Sequence, residues 1–477
     1  MGNPEFDIVA IGGGAGGLFA ASVANALGAK TCIVEKTRLG GDCTWFGCMP
    51  SKALLKSAAV ADCLNKSAEF GLGLPDDFAV DTSNVMSHVK DVVNEIATHH
   101  PAEVFEERGI KVAFGPPEFV DEHTVKVSDV SITARKFIIC TGSHPVIPPI
   151  NGLDSVDCLT NENVFDLETL PRDLIVLGAG PIGIELSQAL NRLGVRIWLV
   201  EMMGRILPRE DEEMARVLAE KLKEEGIQVL TGKKATRFAR RNGRVYAILE
   251  GKDASKEEIS AENVLVAVGR APNVEGLCLD KAGVEYAKTG IKVNAYLQTT
   301  NKSIFACGDI VGPYFFSHVA AYQAGVAVRN ALFKRLAWQK VNYSNVAWAT
   351  FTDPELARLG LTEEEAKEQH PDVRVYKTDY TSSDRAITDR HKEGLIKVIL
   401  DKKGRILGAH VVGAQAGEII QGLIVAKANK IPLAKLSGAL YIYPTLSELV
   451  KKTAGKAFVE KANNPLVKFI LRVMKAF

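Results

Sequence analysis

The chain contains the same pattern of strand, glycine turn and strand twice, and this repeat restricts its fold more than any other feature. In the first copy an apolar run at 8–11 leads into the turn, and Glu35 ends the next apolar run. In the second copy the run 174–177 leads into the turn, and Glu201 ends the next run. Each acidic residue lies 23 positions after the first glycine of its copy. The glycines are Gly12, Gly14 and Gly17 in the first copy and Gly178, Gly180 and Gly183 in the second.

Each glycine of such a turn has its own physical role. The first permits a tight turn, the second lets a pyrophosphate approach the backbone, and the third lets the helix pack on the strand. The N-terminus of that helix then offers unpaired N–H groups and a positive potential to the phosphates. One such motif is weak evidence, whereas two copies with flanking strands and the acid in register are specific. The sequence therefore predicts an α/β fold with two Rossmann-like dinucleotide-binding domains.

A pair of cysteines, Cys43 and Cys48, follows the first of these units. It lies in the segment Gly-Gly-Asp-Cys-Thr-Trp-Phe-Gly-Cys-Met-Pro-Ser-Lys, in which Pro50 favours the start of a helix. Cysteines this close to a cofactor-binding turn are placed to exchange two electrons with that cofactor. The segment predicts a redox-active disulfide beside a flavin rather than a structural disulfide.

The overall composition excludes several other classes of protein. Of the 477 residues 47% are hydrophobic and 24% charged, which is typical of a globular protein of several domains. A net charge of +1 argues against a nucleic-acid partner. Eight cysteines in so long a chain do not form the framework of a secreted protein, which favours a cytoplasmic location. No apolar run is long enough to span a bilayer, and no His/Cys spacing predicts a metal site.

Together these motifs resemble those of the class I pyridine nucleotide–disulfide oxidoreductases, the family of dihydrolipoamide dehydrogenase, glutathione reductase and mercuric reductase. The resemblance extends from about Asp7 to about Lys456, and the segment 42–45 is most similar to the mercuric-reductase-like branch. It implies FAD on the first unit, a nicotinamide nucleotide on the second, and a homodimer formed by a C-terminal α+β domain. The residues that it assigns to FAD are Gly12, Gly14, Gly17, Glu35, Lys52, Thr141, Gly142, Asp309 and His318.

Changes in the pattern of residues along the chain predict five segments. A proline cluster at 145–149 marks a first boundary, and an α+β pattern begins at about Val341. With the resemblance, the predicted segments are an FAD-binding domain (1–150), an NAD-binding domain (151–270), a return segment completing the FAD domain (271–340), a dimerisation domain (341–460) and a basic amphipathic tail (461–477).

The second unit carries information about the choice of nucleotide. The resemblance assigns NAD to Gly178, Gly180, Gly183, Glu201 and Gly269. A carboxylate at Glu201 accepts a hydrogen bond from a ribose 2′-hydroxyl and repels a 2′-phosphate, so NADH is favoured over NADPH. Arg205 lies nearby in the sequence and weakens this preference.

The resemblance also implies roles at the redox centre. Cys48 forms the thiolate next to the flavin, and Cys43 is the thiol that meets the electron acceptor. Thiolate is the reactive form of cysteine. Lys52 on the following helix is expected near the flavin, with Glu185 as its partner, although a solvent-exposed ion pair is the alternative.

One catalytic position departs from the family pattern. Where the family has a histidine that acts as acid and base, followed by a glutamate that orients it, this chain has Tyr443 and Glu448. A phenol with an ordinary pKa of about 10 protonates a thiolate but is a poor base near neutral pH. Reduction of an oxidised disulfide or related acceptor, by a small molecule or small protein, is therefore favoured over oxidation of dihydrolipoamide.

Other functions stay open at this level. They are a dihydrolipoamide dehydrogenase that tolerates Tyr443, a mercuric-ion reductase without the C-terminal cysteine pair of that group, and a redox sensor or scaffold with slow turnover. No cysteine follows Cys307. In the tail, Lys468, Arg472 and Lys475 share one helical face, which predicts a helix that packs on the dimer or lies on an anionic membrane surface.

Overall fold

The computed structural model describes residues 4–74, 79–463 and 465–475. It contains two compact units. Unit 1 consists of Met1–Leu174, Arg237–Tyr246 and Ala261–Asn342, and unit 2 of Ile175–Thr236, Ala247–Ser260 and Tyr343–Phe477. The first glycine turn and the cysteine pair therefore lie in unit 1, while the second glycine turn and the C-terminal segment lie in unit 2.

The strands of the described residues are mostly short. In chain order they are β1 Phe6–Ile11, β2 Thr31–Glu35, β3 Lys111–Phe114, β4 Pro117–Asp121, β5 Thr124–Val127, β6 Val130–Ile139, β7 Ser143–Pro145, β8 Asp173–Leu177, β9 Arg196–Glu201, β10 Gln228–Thr231, β11 Lys233–Arg241, β12 Arg244–Gly251, β13 Lys256–Ala261, β14 Asn263–Val266, β15 Arg270–Pro272, β16 Tyr286–Ala287, β17 Gly290–Ile291, β18 Ile304–Ala306, β19 Ala347–Thr350, β20 Glu355–Gly360, β21 Arg374–Asp379, β22 Leu395–Leu400 and β23 Ile406–Gly413.

The α-helices follow the same order. They are α1 Ala15–Ala26, α2 Gly41–Trp45, α3 Cys48–Asn65, α4 Thr82–Ala97, α5 Ala102–Glu107, α6 Pro181–Arg192, α7 Glu212–Glu224, α8 Ser317–Leu332, α9 Glu363–Gln369, α10 Asp384–Thr388, α11 Ala416–Ile419, α12 Gln421–Ala428, α13 Glu448–Ala462 and α14 Pro465–Lys475.

Unit 1 is built on a sheet in which parallel strands meet at β1. The strand β1 pairs with β2 on one side and β6 on the other, β3 pairs with β2, and β18 pairs with β6. Residues Ile8–Ile11 are fully buried, as expected for a parallel strand covered on both faces. The strands β4, β5 and β6 continue the sheet in antiparallel fashion. Because β18 comes from residues 304–306, a late part of the chain completes this sheet. The five predicted segment boundaries stay predictions.

Unit 2 contains the second glycine-turn fold and an antiparallel sheet. The strands β9 and β10 are parallel, and α6 begins with Pro181 in its first position. The C-terminal sheet has the order β19-β20-β23-β22-β21. The strands β22 and β23 lie within the α+β pattern predicted from about Val341; β22 is buried throughout, and β23 is buried except at Leu407.

A buried ion cluster joins the elements of unit 2. The ammonium of Lys397 on β22, whose side chain is 3% exposed, lies 2.8 Å from Asp211, 2.7 Å from Glu213 and 3.0 Å from Glu363. Asp211 and Glu213 belong to the start of α7, and Glu363 to the start of α9. The buried cation therefore contacts three carboxylates between two helices and a sheet, while the more exposed Lys377 and Lys367 also pair with Glu213 and Glu363.

Membrane crossing by a helix requires both sufficient length and an apolar character. Among the helices formed by residues 4–74, 79–463 and 465–475, none combines the two.

Candidate active site

The first glycine turn is formed by backbone groups in close contact. Gly12 has a φ of +108°, and a Cβ there would lie 2.5 Å from the carbonyl oxygen of Cys140. A Cβ on Gly17 would lie 1.8 Å from the carbonyl oxygen of Gly12. At Gly14, by contrast, the nearest atom to such a Cβ is 3.6 Å away, and the N-terminus of α1 has no side-chain cap. The turn thus fits the pyrophosphate of a dinucleotide.

The two acidic residues of the repeat make the same pair of hydrogen bonds. The carboxylate of Glu35 accepts from the N–H groups of Gly13 at 2.6 Å and Thr37 at 2.9 Å. In unit 2, Glu201 accepts from the N–H groups of Ala179 and Met203, both at 2.8 Å. Each acid is thereby held at its glycine turn. The sequence predicted a ribose contact but not this support of the turn.

The cysteine segment packs directly on the first glycine turn. The N–H of Gly40 donates to the carbonyl oxygen of Gly13 at 2.9 Å. A Cβ on Gly41, whose φ is +63°, would lie 2.6 Å from the Cα of Gly14. Two glycines before the cysteine pair therefore let its backbone approach the nucleotide turn, which explains why the two motifs are adjacent in the sequence.

The cysteine pair lies on two short helical starts. Cys43 belongs to α2, and Cys48 is the first residue of α3. Both residues are partly buried free thiols. A hydrogen bond from Cys48 lowers the pKa of Cys43 to about 6; burial opposes this shift, and the hydroxyl of Ser317 supports it. The same bond raises the pKa of Cys48, against which the charge of Lys52 acts. The pair thus carries one negative charge near neutral pH.

Two side chains that the sequence analysis missed lie at this centre. Ser317, the first residue of α8, has its Oγ 3.9 Å from the Sγ of Cys48. The Nε1 of Trp45, within the cysteine segment, donates to the carbonyl oxygen of Leu39 at 2.8 Å, and the guanidinium of Arg38 lies 3.7 Å from the centre of the Trp45 ring. Ser317 gives no sequence signal, because a lone serine matches no motif.

The predicted FAD residue His318 directly follows Ser317 in the chain, and its ring stacks on that of Phe316.

The predicted FAD residues Thr141, Gly142 and Asp309 lie after neighbouring strands of unit 1. Asn273 holds the first two: its Nδ2 donates to the carbonyl oxygen of Thr141 at 2.7 Å, and its N–H donates to that of Gly142 at 3.0 Å. The carboxylate of Asp309 accepts from the Ser143 hydroxyl at 2.6 Å, and burial raises its pKa. Carboxyl ends of parallel strands are the usual place for a bound nucleotide, so these residues fit FAD.

The second nucleotide turn lies in unit 2 and leaves space above its middle glycine. Around a Cβ placed on Gly180, the described residues contribute no atom within 4 Å. Gly178 and Gly183 flank it as in the first turn, and Gly269 belongs to unit 1. The predicted catalytic residue Glu185 is buried on α6 and accepts from the N–H of Phe351 at 2.8 Å.

Tyr443 has a different partner from the one that was expected. Its hydroxyl donates to the carboxylate of Asp384 at 2.8 Å, whereas Glu448 begins α13. The hydrogen bond to Asp384 and its charge raise the pKa of Tyr443. The phenol therefore stays protonated at neutral pH. Asp384 lies 59 residues from Tyr443, and nothing in the sequence links the two.

A metal centre would need several ligating side chains around one point. Within the described part of the chain, no three or more His, Cys, Asp or Glu side chains are arranged to hold a metal ion.

Comparison with known proteins agrees with this geometry. Residues 6–329 match the family model of the pyridine nucleotide-disulphide oxidoreductases, and residues 346–454 match the dimerisation domain of that family. A mercuric reductase of Staphylococcus aureus is 33% identical over 453 residues, which cover 94% of this chain and 82% of that protein. A dihydrolipoyl dehydrogenase of Thermus scotoductus is 36% identical over 459 residues, which cover 94% of this chain and 96% of that protein.

A solved structure gives a third comparison. The HOCl-induced flavoprotein disulfide reductase RclA of Escherichia coli, solved as a Cu(II) complex, superposes with a TM-score of 0.84 at 25% identity. The match covers 95% of this chain and 100% of that one.

Fold, glycine turns and cysteine pair define a two-nucleotide flavoenzyme that exchanges electrons with sulfur. The chain belongs to the pyridine nucleotide–disulphide oxidoreductase family. It is an FAD-dependent NAD(P)H:disulfide oxidoreductase, so the predicted family, fold class and cofactors are confirmed. The matched dimerisation domain supports a homodimer.

Proposed function

We propose that this enzyme passes electrons from NADH to Cys43 and Cys48 and from them to a small-molecule or small-protein disulfide. The observation that supports this most is the direct packing of the cysteine segment on the first glycine turn, where Gly40 donates to Gly13. FAD, when bound there, supplies the two-electron exchange between nicotinamide and sulfur. Lys52, on the helix that Cys48 begins, adds a positive charge near the reduced pair.

The chemistry at sulfur then follows from the two thiols. The Cys43 thiolate attacks one sulfur of the acceptor disulfide, which forms a mixed disulfide and releases the first acceptor thiolate. Cys48 attacks the Cys43 sulfur, re-forms the internal disulfide and releases the second. Two electrons leave the pair, and the released thiolates take up two protons. The low pKa of Cys43 supports its role as the attacking group.

An anaerobic titration of the purified holoenzyme with NADH tests the proposed relay. One equivalent is expected to produce a long-wavelength absorbance band from a thiolate next to oxidised flavin. Direct bleaching of the flavin without that band would mean that the cysteines are not in redox contact with it. It would also favour a sensor or an unspecific NADH oxidase.

The preference for NADH is assigned to Glu201. Replacement with alanine is expected to narrow the ratio of kcat/KM for NADH to that for NADPH by roughly tenfold, because the carboxylate that repels a 2′-phosphate is lost. Steady-state kinetics with both nucleotides measure the ratio.

Glu201→Gln is the matched control for this prediction, since it removes the charge but keeps an acceptor for the N–H of Ala179. It should narrow the ratio as well. An unchanged ratio in both variants would refute the assignment.

Tyr443 is proposed as a proton donor to the leaving thiolate. Tyr443→Phe is expected to lower the disulfide reductase rate by about a hundredfold, the lower end of the usual range for general acid catalysis. Tyr443→His should accelerate dihydrolipoamide oxidation, because imidazole is a base near neutral pH. Stopped-flow and steady-state rates measure both effects. A full reductase rate in Tyr443→Phe would exclude the acid role.

We propose that this enzyme is cytoplasmic and that its C-terminal helix α14 binds an anionic membrane surface. Phe469, Val473 and Met474 on α14 are 64%, 45% and 69% exposed, and the exposed cations Lys468 and Arg472 accompany them. Apolar side chains beside cations suit the interface of anionic lipids. Residues 464, 476 and 477 of the predicted tail lie outside the described residues.

Membrane binding is measured by co-sedimentation with vesicles. The holoenzyme is expected to sediment with phosphatidylglycerol vesicles and much less with phosphatidylcholine vesicles. Replacing Lys468 and Arg472 with glutamate should abolish binding at unchanged oligomeric state. If the intact enzyme binds neither vesicle, and deletion of residues 465–477 dissociates the dimer, the helix packs on the protein instead.

A further inference from the structure

The residue directly before the first redox cysteine forms an ion pair with a distant arginine. The carboxylate of Asp42 lies 3.0 Å from the guanidinium of Arg270, 228 residues away in the sequence and also in unit 1. The Arg270 side chain is only 12% exposed, and that of Asp42 is 37% exposed. A partly buried pair of this kind is screened less by solvent than a surface ion pair.

The arginine is held in one orientation by its other hydrogen bonds. Its Nε donates to the hydroxyl of Ser143 at 2.8 Å, and its Nη2 to the carbonyl oxygen of the same residue at 2.8 Å. Its Nη1 donates to the side-chain oxygen of Asn161 at 3.2 Å. All three nitrogens of the planar guanidinium therefore donate hydrogen bonds, a geometry that lysine does not reproduce.

Asn161 extends this contact across the segment between the cysteines. Its Nδ2 lies 3.3 Å from the carboxylate of Asp42 and 3.2 Å from the carbonyl oxygen of Phe46. Asp42 precedes Cys43 directly, and Phe46 lies two residues before Cys48. Arg270 and Asn161 together therefore contact the segment just before each cysteine.

The charges around Cys43 give this arrangement a chemical consequence. Cys48, Ser317 and Asp42 act on Cys43 itself, and Lys52 acts on Cys48. Asp42 opposes ionisation of Cys43, since a carboxylate disfavours a second negative charge nearby. Arg270 is the cation paired with that carboxylate, and its charge also opposes the rise that burial causes in the pKa of Asp309.

We propose that Arg270 is a positioning residue of the redox centre, which neutralises Asp42 and holds the segment between the cysteines so that Cys43 stays a competent nucleophile. The proposal rests on the proposed role of Cys43 as the attacking thiol. Arg270 itself does not touch the reacting sulfur; it acts through Asp42.

The pH dependence of alkylation measures this effect without turnover. The reduced holoenzyme is treated with iodoacetamide between pH 5 and pH 9, and the label on Cys43 is located by peptide fragmentation. In Arg270→Gln the rate at pH 6 is expected to fall by about threefold to fivefold, because a rise of about one unit in a pKa of about 6 lowers the thiolate fraction at this pH from about a half to about a tenth. Arg270→Lys keeps the charge and should lose less. In Asp42→Asn the rate at pH 6 should rise.

The double variant Asp42→Asn/Arg270→Gln separates electrostatics from general support. If Arg270 acts through Asp42, the double variant alkylates at least as fast as the wild type. An equal fall caused by Arg270→Gln with and without Asp42 would overturn the proposal. Where Arg270→Gln does not fold, Asp42→Asn decides alone, and an unchanged or lower rate contradicts the proposal.

Failure of the proposed function gives a different result. If the alkylation profile depends on Arg270 as expected but no disulfide substrate is reduced, the electrostatic inference stands and the substrate class is wrong. If disulfides are reduced but the profile is independent of Arg270, only this inference fails.

Discussion

Replacing Cys43 with serine is expected to lower the rate of NADH-driven disulfide reduction by at least about a thousandfold, because a serine hydroxyl neither ionises near neutral pH nor attacks a disulfide. A hydrogen bond from Cys48 lowers the pKa of this thiol to about 6. Coupled NADH oxidation with a disulfide acceptor measures the rate. In Cys48→Ser the internal disulfide no longer forms. The long-wavelength absorbance band that is expected in the NADH titration of the wild type should therefore be absent in this variant.

Cys63 is the matched control for both variants. It lies on α3, the helix that Cys48 begins, and it is an exposed free thiol. Cys63→Ser should retain the wild-type rate, since this thiol lies outside the pair. If Cys43→Ser keeps more than about a tenth of the wild-type rate, less than about 1.4 kcal/mol of transition-state stabilisation depends on the thiol, and the proposed relay is wrong.

Replacing Lys397 with methionine is expected to lower the free energy of unfolding of unit 2 by about 3–5 kcal/mol, since three carboxylates then lose their buried cation. The ammonium lies within 3.0 Å of Asp211, Glu213 and Glu363. Methionine keeps most of the side-chain volume, so the loss reports charge rather than a cavity. The midpoint of thermal unfolding, followed by circular dichroism, measures it.

The sign of the pH dependence follows from the carboxyl groups. Burial raises the pKa of Glu213, but hydrogen bonds from Lys377 and Lys397 outweigh burial and lower it. A lowered pKa contributes stability above the unfolded value of about 4.3, and this stability is lost as the pH falls through the folded pKa. In Lys397→Met the ammonium no longer counteracts the effect of burial, so the pKa values of the three carboxyl groups rise and the groups protonate at higher pH. The difference between wild type and variant should therefore be largest near pH 7 and shrink toward pH 4.

Lys377→Met is the matched control, because it removes an exposed rather than a buried ammonium from Glu213. Lys377 also contacts Glu213, at 2.7 Å, but its side chain is 44% exposed. An exposed pair contributes at most about 1 kcal/mol, so this variant should unfold near the wild-type midpoint. Equal losses in the two lysine variants would show that burial of Lys397 has no special importance.

The sequence predicted most accurately what is encoded over short stretches of chain. The first nucleotide unit, β1-α1-β2, spans Phe6 to Glu35, and within its turn a Cβ on Gly17 would meet the carbonyl oxygen of Gly12. The helix start after Gly47 and the strands β22 and β23 are equally local. Strand and helix periods appear directly in the order of apolar residues, which is why these elements are predictable.

The partners of the site residues were not predictable in this way. Asp42 and Arg270 are 228 residues apart, Ser143 and Asp309 are 166 apart, and Lys397 and Asp211 are 186 apart. A charged or polar residue has no period that marks its partner. Such pairs arise only when β18 and β7 reach their neighbours in unit 1, or when β22 packs near α7 in unit 2.

The sequence by itself therefore determined the family, the two cofactor turns and the cysteine pair, because each is a local motif whose spacing the chemistry requires. Tertiary structure alone decided which charges surround those cysteines, that Tyr443 pairs with Asp384, and that each acid of the repeat supports its glycine turn. The physical reason is that electrostatics and hydrogen bonding depend on distances of a few ångström, and only packing brings distant parts of the chain to those distances.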